Sequence, residues 1–185
     1  IWHSLVLFRK LVCTLPHRWA LSLGGALGAL VPVFTSKKFN ESAERCSQIL
    51  SIPLENAKET VKRCYRHFGM AAAEFARTPV MAAKIDSIIR VHGEDNLKDA
   101  MSRGKGVILA TAHIGNWEYA AVWCAQHGYP MNALGTDQRD DRITDLIMDL
   151  RRSGGCKALG KASDLRAMVR ALQSGEIIAV PVDQD

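Results

Sequence analysis

The spacing of hydrophobic residues changes along the chain at about residue 88. Before that point, apolar residues recur every three or four positions, which predicts helices with one buried face. One such series is Ala57, Val61, Cys64, Tyr65, Phe68 and Ala72. After that point, short apolar runs alternate with amphipathic segments. The runs predict strands at 107–112, 131–134, 156–159 and 177–182, and the segments predict helices at 117–126, 140–152 and 163–173.

This alternation predicts an α/β fold, a mostly parallel sheet flanked by helices on both faces, because parallel strands are joined by crossover helices. We divide the chain into a helical region over residues 1–50 and an α/β domain over 51–185. The sequence opens at Ile1 rather than at a methionine, and the apolar run 177–182 lies just before its end. We therefore expect a chain that is cut at both ends, with further strands downstream that would complete the domain.

The helical region combines apolar and aromatic residues with unopposed positive charge. Five lysines and arginines precede the first acidic residue, Glu41. This pattern is typical of a segment that lies on an anionic membrane surface, and also of a buried helix pair with a basic edge. The uncharged stretch from Trp19 to Phe34 has 16 residues, fewer than the ~20 that a membrane span needs. We expect helices that associate with the cytoplasmic face of a membrane.

Composition and charge argue against several classes of protein. The chain has 48% hydrophobic and 23% charged residues, which is typical of a folded protein and excludes general disorder. Its five cysteines are scattered without a CxxC pair, so neither a zinc site nor a disulfide framework is indicated. The net charge of +5 comes mainly from the apolar front of the chain and no recognition motif accompanies it, which argues against nucleic acid as a partner.

A histidine follows the most apolar of the predicted strands, at the sheet edge where α/β proteins bind ligands. His113 and Glu118 can face each other only if the chain turns between them, and Gly115 with Asn116 is suited to such a turn and to a helix cap. A carboxylate beside an imidazole orients the ring and stabilises its protonated form, so the pair could activate a hydroxyl group. The alternative is a structural histidine next to a glutamate in the first turn of a helix.

Four stretches then carry a resemblance to a known family. They are His113-Ile114-Gly115-Asn116-Trp117-Glu118, Phe68-Gly69-Met70-Ala71-Ala72-Ala73-Glu74, Leu150-Arg151-Arg152-Ser153-Gly154-Gly155, and the glycine-to-DQD strand from Gly175 to Asp185. In this order they resemble the boxes of the lipid A biosynthesis acyltransferases, relatives of the HxxxxD glycerolipid acyltransferases. The first stretch corresponds to the HxxxxE box of that family.

The resemblance implies transfer of a fatty acyl chain from acyl carrier protein or acyl-CoA to a hydroxyl of a lipid A precursor, at the cytoplasmic face of the inner membrane. It implies His113 as general base with Glu118 as its partner, and it requires no cofactor or metal. Arg151 would bind an anionic group, and the DQD residues would shape the site. The implied substrate-binding residues are Asn116, Trp117, Arg139, Arg151, Asp183, Gln184 and Asp185. Family members commonly have an arginine where this chain has Gly135-Thr136, so Arg139 or Arg142 would take over that contact.

Other interpretations remain open. The protein could acylate another lysolipid, or it could be a non-catalytic, membrane-bound relative. The aspartates between positions 137 and 145 could bind a metal, but the interleaved arginines favour a capped and salt-bridged helix start. Asp183 and Asp185 alternate on a strand and share one face, where magnesium could bind.

Overall fold

The computed structural model describes residues 2–135, 138–161 and 165–183. These residues are mostly helical, with one small parallel sheet. The helices are α1 (Trp2–Thr14), α2 (His17–Phe34), α3 (Ser36–Leu50), α4 (Leu54–Ala76), α5 (Thr78–Met81), a 3₁₀ helix (Ala82–Ser87), α6 (Glu94–Ser102), α7 (Trp117–Gln126), α8 (Asp141–Ser153) and α9 (Leu165–Gln173). The strands are β1 (Val107–Thr111), β2 (Met131–Gly135), β3 (Lys157–Lys161) and β4 (Ile177–Pro181).

The alternation of strands and helices predicted after residue 106 is confirmed, and each predicted end among the described residues lies within two residues of the observed one. The predicted helix start at 163 lies outside the described residues. The β-branched stretch at 88–91 forms no strand, and this segment is an irregular link to α6. The sheet has the order β1-β4-β2-β3 and its pairs are parallel. Strand β4 therefore lies between β1 and β2, with Val107 and Met131 both opposite Ile177.

The chain forms two compact units, His3–Ala76 and Arg77–Asp185, the latter together with residues 1–2. The core of the second unit lies on the α7 side of the sheet, where Met131 and Ile177 pack with Tyr119, Val122 and Trp123. Burying such large side chains contributes about 1.5–3 kcal/mol each. The sheet is thus fixed against the helix whose first turn follows the predicted histidine.

The first unit is organised by close contact between α2 and α4. A Cβ atom at Gly24 would overlap the carbonyl oxygen of Gly69, and one at Gly28 would overlap that of Tyr65. The helix backbones therefore touch where side chains would otherwise separate them. This explains why α4 belongs to the first unit, whereas the sequence placed the domain boundary at residue 50. Phe68, predicted to be part of a buried stripe, is 64% exposed because its neighbour Gly69 occupies the contact.

The opposite side of α2 is apolar and exposed. Trp19, Leu30, Val33 and Phe34 follow this side of the helix, and Phe34 is 84% exposed. Among the described residues, no single helix is long and apolar enough to cross a membrane, but α2 and α3, bent at 98° to each other, pass that test as a pair.

Candidate active site

The candidate site lies at the carboxyl edge of the sheet, where β1 and β4 end side by side. Thr111 is paired with Pro181, and Val182 N–H donates to the carbonyl of Thr111 at 3.0 Å. His113 and Asp183 each follow two residues after these paired positions. The ladder of hydrogen bonds therefore brings two residues together that are 70 positions apart in the chain.

Asp183 holds His113 with both of its carboxylate oxygens. Oδ1 is 2.9 Å from the ring Nδ1, and Oδ2 accepts the backbone N–H of His113 at 3.0 Å. The hydrogen bond from the His113 side chain, followed by that from its backbone, holds the pKa of Asp183 below its usual value of 3.8. An ionised carboxylate can only accept, so Nδ1 is the donor and the lone pair of the neutral ring lies on Nε2. The arrangement thus presents Nε2 as a proton acceptor.

The turn after β1 sets the direction of the imidazole. Gly115 has φ +61°, in the left-handed region that glycine adopts without strain, and Asn116 caps α7 by accepting the Tyr119 N–H at 3.2 Å. Trp117, in the first turn of α7, meets the His113 ring edge to face with ring centroids 4.7 Å apart. The His113 side chain is 30% exposed, so the ring is both supported and accessible.

Glu118 bonds to Arg151 instead of His113. Its Oε1 accepts from Arg151 Nη2 at 2.7 Å and its Oε2 accepts from Nε at 3.1 Å. Arg151 Nη1 also donates to the carbonyl of Leu134 at 2.9 Å. The predicted direct pairing of His113 with Glu118 is therefore corrected: the carboxylate on the ring is that of Asp183. The sequence argument chose the acid nearest along the chain, whereas strand pairing supplies a different one.

The ion pair of Glu118 and Arg151 is largely enclosed, with each side chain 14% exposed. The bidentate geometry joins the first turn of α7 to the last turn of α8, and the third bond fixes the carboxyl end of β2. Arg151 was expected to bind an anionic substrate group, but in the structure its guanidinium engages protein groups. It connects three elements around the candidate site.

The remaining predicted residues are more dispersed. Arg139 is exposed in the link before α8, while Gln184 and Asp185 lie outside the described residues. Asp140 caps α8 and pairs with Arg142 at 2.7 Å, as the alternative of a capped helix start predicted. Within residues 2–135, 138–161 and 165–183, no cluster of three or more His, Cys, Asp or Glu side chains is suited to a metal.

Two cysteines are buried in the second unit, Cys124 and Cys156. Burial raises the pKa of both thiols, to about 12 for Cys156. Only the thiolate is a strong nucleophile, so these thiols are unreactive at neutral pH. A covalent step through either of them is not favoured.

Sequence reasoning had placed Asp183 near the site, but it missed the direct contact with His113. The DQD motif after an apolar run was the available signal, because it marks a second strand end with a carboxylate. Neither motif specifies the order of the strands, and it is this order that places Asp183 beside His113.

Comparison with known proteins agrees with the motifs. A family model described as bacterial lipid A biosynthesis acyltransferase matches residues 1–185. The lipid A biosynthesis palmitoleoyltransferase of Escherichia coli (strain K12) is 27% identical over 177 residues, 92% of this chain and 56% of that relative. The lipid A biosynthesis lauroyltransferase of the same strain is 25% identical over 180 residues, 95% of this chain and 57% of that relative.

A mycobacterial enzyme is also similar. The phosphatidylinositol mannoside acyltransferase of Mycobacterium tuberculosis (strain CDC 1551 / Oshkosh) is 24% identical over 127 residues, 64% of this chain and 40% of that relative. The chain spans about half the length of the curated relatives that it matches. Since the family model covers every residue, the resemblance carried by the four motifs is confirmed, and the chain belongs to the bacterial lipid A biosynthesis acyltransferase family.

Proposed function

We propose that the protein transfers a fatty acyl chain from an acyl thioester to a hydroxyl group of a lipid A precursor. The observation that carries this proposal is the contact between Asp183 and His113 Nδ1, which leaves Nε2 available as a base at the open edge of the sheet. Acyl carrier protein or CoA would present the thioester. The names of the Escherichia coli relatives support lipid A as the acceptor class.

The chemistry needs one proton acceptor and no protein nucleophile. His113 Nε2 takes the proton of the acceptor hydroxyl as its oxygen attacks the thioester carbonyl. The Asp183 carboxylate stabilises the imidazolium that forms. Collapse of the tetrahedral intermediate breaks the C–S bond and completes the C–O ester, and the imidazolium returns the proton to the departing thiolate. The residue ends the cycle neutral, ready for the next acceptor.

In this proposal Glu118 is a positioning residue that acts through Arg151. The ion pair fixes the start of α7, which carries Trp117 against the imidazole of His113. Loss of either partner would loosen the turn that aims the ring. Asp183, and not Glu118, is the direct partner of the base His113.

We further propose that the first unit rests on the cytoplasmic face of the inner membrane. Support comes from the exposed apolar side of α2 and from the lysines that follow it, Lys37 and Lys38, which are exposed. Apolar side chains enter the boundary between headgroups and acyl chains, and basic side chains bind anionic lipid headgroups. This attachment would bring the enzyme to a lipid acceptor that does not leave the bilayer.

The full-length protein tests the assignment. It should convert a lipid A precursor, supplied with labelled acyl carrier protein, into a product that carries one more acyl chain, detected by mass spectrometry. His113→Gln should lower the rate by ~10²–10⁴-fold. The matched control is His127→Gln, because His127 also lies near an aspartate, with Nε2 3.3 Å from Asp86 Oδ1, but directly after the carboxyl end of α7.

Two outcomes would contradict the proposal. If the wild-type protein acylates a mannosylated phosphoinositide and not the lipid A precursor, the acceptor class is wrong. If His113→Gln loses no more activity than His127→Gln, the role of His113 as the base is wrong.

A further inference from the structure

The exposed side of α9 carries positive charge that the fold itself does not use. Arg166 and Arg170 are both exposed, and among the described residues neither guanidinium has a hydrogen-bond or ion-pair partner. They are four positions apart, so they lie on the same side of the helix with Cβ atoms ~6 Å apart. Helix α9 contains no acidic residue; Asp164 precedes it outside the described residues, and Glu176 after it is paired with Lys157. This side of α9 is therefore positively charged.

Helix α9 covers the face of the sheet opposite to α7. The connection from β1 through α7 to β2 and the connection from β3 through α9 to β4 cross the sheet in opposite directions. Because such connections are right-handed, the two helices lie on opposite faces. Ile177 packs in the core beside α7, whereas the side chain of Ile178 points the other way and is buried on the α9 side. Since α9 leads from the end of β3 to the start of β4, its first turn lies at the carboxyl edge, which also carries His113.

Aliphatic side chains accompany the two arginines. Leu165 and Val169 form the adjacent row of α9 and are 67% and 43% exposed. Ile108 of β1 is opposite Ile178 in the sheet, so it points to the same face, where it is 64% exposed beside the part that α9 covers. Apolar and basic side chains therefore share one open side of the helix. We name its four exposed residues the α9 surface: Leu165, Arg166, Val169 and Arg170.

The composition of the α9 surface favours a protein partner over a bilayer. A helix that lies in a membrane interface places its main apolar side among the lipids and commonly carries Trp or Phe there. The main apolar side of α9 instead packs on the sheet, with Ala171 buried and Met168 and Leu172 partly buried. Protein interfaces are enriched in arginine and depleted of lysine, and a guanidinium binds a carboxylate through two parallel hydrogen bonds. The surface therefore fits an acidic helix whose carboxylates have the same four-residue spacing.

From these observations we infer that the α9 surface binds an acidic face of the carrier protein that delivers the acyl chain. The inference rests on the proposed function and deepens it, because it makes a carrier protein, and not CoA, the donor that this surface recognises. A carrier bound at the first turn of α9 would present its thioester at the edge of the sheet that carries His113. The opposite charges would speed the encounter, and the aliphatic side chains would gain by leaving water in the complex.

The double variant with Arg166→Glu and Arg170→Glu tests the inference in the full-length protein. Its two carboxylates would repel an acidic partner, so we expect KM for acyl carrier protein to rise at least ~tenfold while kcat changes little. KM for the same acyl chain on CoA should be unchanged. Added sodium chloride should weaken the binding of acyl carrier protein to the wild type, because salt screens exposed charges beyond ~10 Å at 0.1 M. The variant should lose this salt dependence.

The matched control is Lys84→Glu with Lys98→Glu, which makes the same change in net charge. Both lysines are exposed and belong to helices that pack against the core on the α7 side. The control should leave both KM values unchanged, and an effect equal to that of the α9 variant would overturn the inference. So would an equal rise in KM for the CoA substrate, or a loss confined to vesicle sedimentation, because the surface would then bind lipid. Should the α9 variant unfold, Arg166→Gln with Arg170→Gln removes the charge without repulsion and should raise KM for the carrier alone.

A cross-linking experiment does not depend on turnover. A photoreactive benzoylphenylalanine in place of Val169 should attach acyl carrier protein to the full-length protein, and the same group in place of the exposed Ala83 should not. Attachment to the protein's own chain would overturn the inference, because the surface would then be covered in the intact protein. Cross-linking to the carrier without any acyl transfer by the wild type would contradict the proposed function and leave the docking surface standing. Acyl transfer from CoA without any cross-link would do the reverse.

Discussion

Replacement of Asp183 by asparagine isolates the electrostatic role of this residue. The new amide has nearly the same shape, and its oxygen can still accept the backbone N–H of His113, now bonded at 3.0 Å. Its NH₂ group, however, would face Nδ1 at the present distance of 2.9 Å and would donate to it. The ring proton would then move to Nε2, which could no longer accept a proton from the hydroxyl. The geometry is preserved while the base is lost.

The expected loss follows from this change of tautomer. General-base catalysis contributes ~10²–10⁴-fold, and the same exchange in the catalytic triad of a serine protease costs about 10⁴-fold. We expect Asp183→Asn to lower kcat by ~10³-fold or more, while KM for the acyl thioester changes little. Initial rates with labelled donor measure kcat for each variant. Asp183→Glu keeps a carboxylate and should restore part of the activity. A rate within tenfold of the wild type would refute the reasoning.

The contact between Asp183 and His113 also makes the stability of the fold depend on pH, and stability is expected to fall in acid. Because the folded state holds the pKa of Asp183 below 3.8, the contact stabilises the fold above that value and is lost as the pH falls through the lowered pKa. The wild type should therefore lose stability relative to Asp183→Asn only in acid. Thermal unfolding of both proteins across this range tests the sign, and a loss beginning near neutral pH would contradict it.

Three further changes test other parts of the structure. Arg151→Ala should lower the free energy of unfolding by ~2–4 kcal/mol, because Glu118 would keep an enclosed charge without its partner; chemical denaturation measures it. Gly28→Ala should cost ~1–3 kcal/mol and separate α2 from α4, whereas an equal midpoint would contradict the close approach. The double variant with Lys37→Glu and Lys38→Glu should bind anionic vesicles at least tenfold more weakly in a sedimentation assay, because each lysine contributes about 1 kcal/mol to binding an anionic surface. Its binding to neutral vesicles should be unchanged.

Much of the fold was predictable because its strands are continuous apolar runs between turn residues. The run at 107–112 predicted β1 closely, and glycine at position 175 correctly marked the turn before β4. Helix α6 was missed because its few apolar residues make only a weak periodic pattern. The run at 88–91 contains β-branched residues but lies in an exposed link, since Ile88 and Val91 have no neighbouring strand among the described residues and are 37% and 41% exposed.

The candidate site was predictable in its residues and less so in their contacts. The position of His113 after a strand and the turn before Glu118 pointed to these two residues, and the resemblance of the DQD strand to the family placed Asp183 near them. Which carboxylate meets the imidazole depends on strand order, and local sequence specifies each strand without specifying its neighbour. The contact between Glu118 and Arg151 was missed for the same reason, because it depends on how α7 and α8 pack on the sheet.

The central position of β4 has a consequence for biosynthesis. The ribosome releases β1, β2 and β3 before β4 emerges, yet β4 pairs with both β1 and β2. Until it inserts, two backbone edges remain open and Asp183 is absent from the ring of His113. The contact that the proposed mechanism needs therefore forms only after β4 has inserted, so a nascent chain that lacks β4 would lack the carboxylate beside His113. The same late, long-range insertion makes this step a natural target for chaperones that shield unpaired strands.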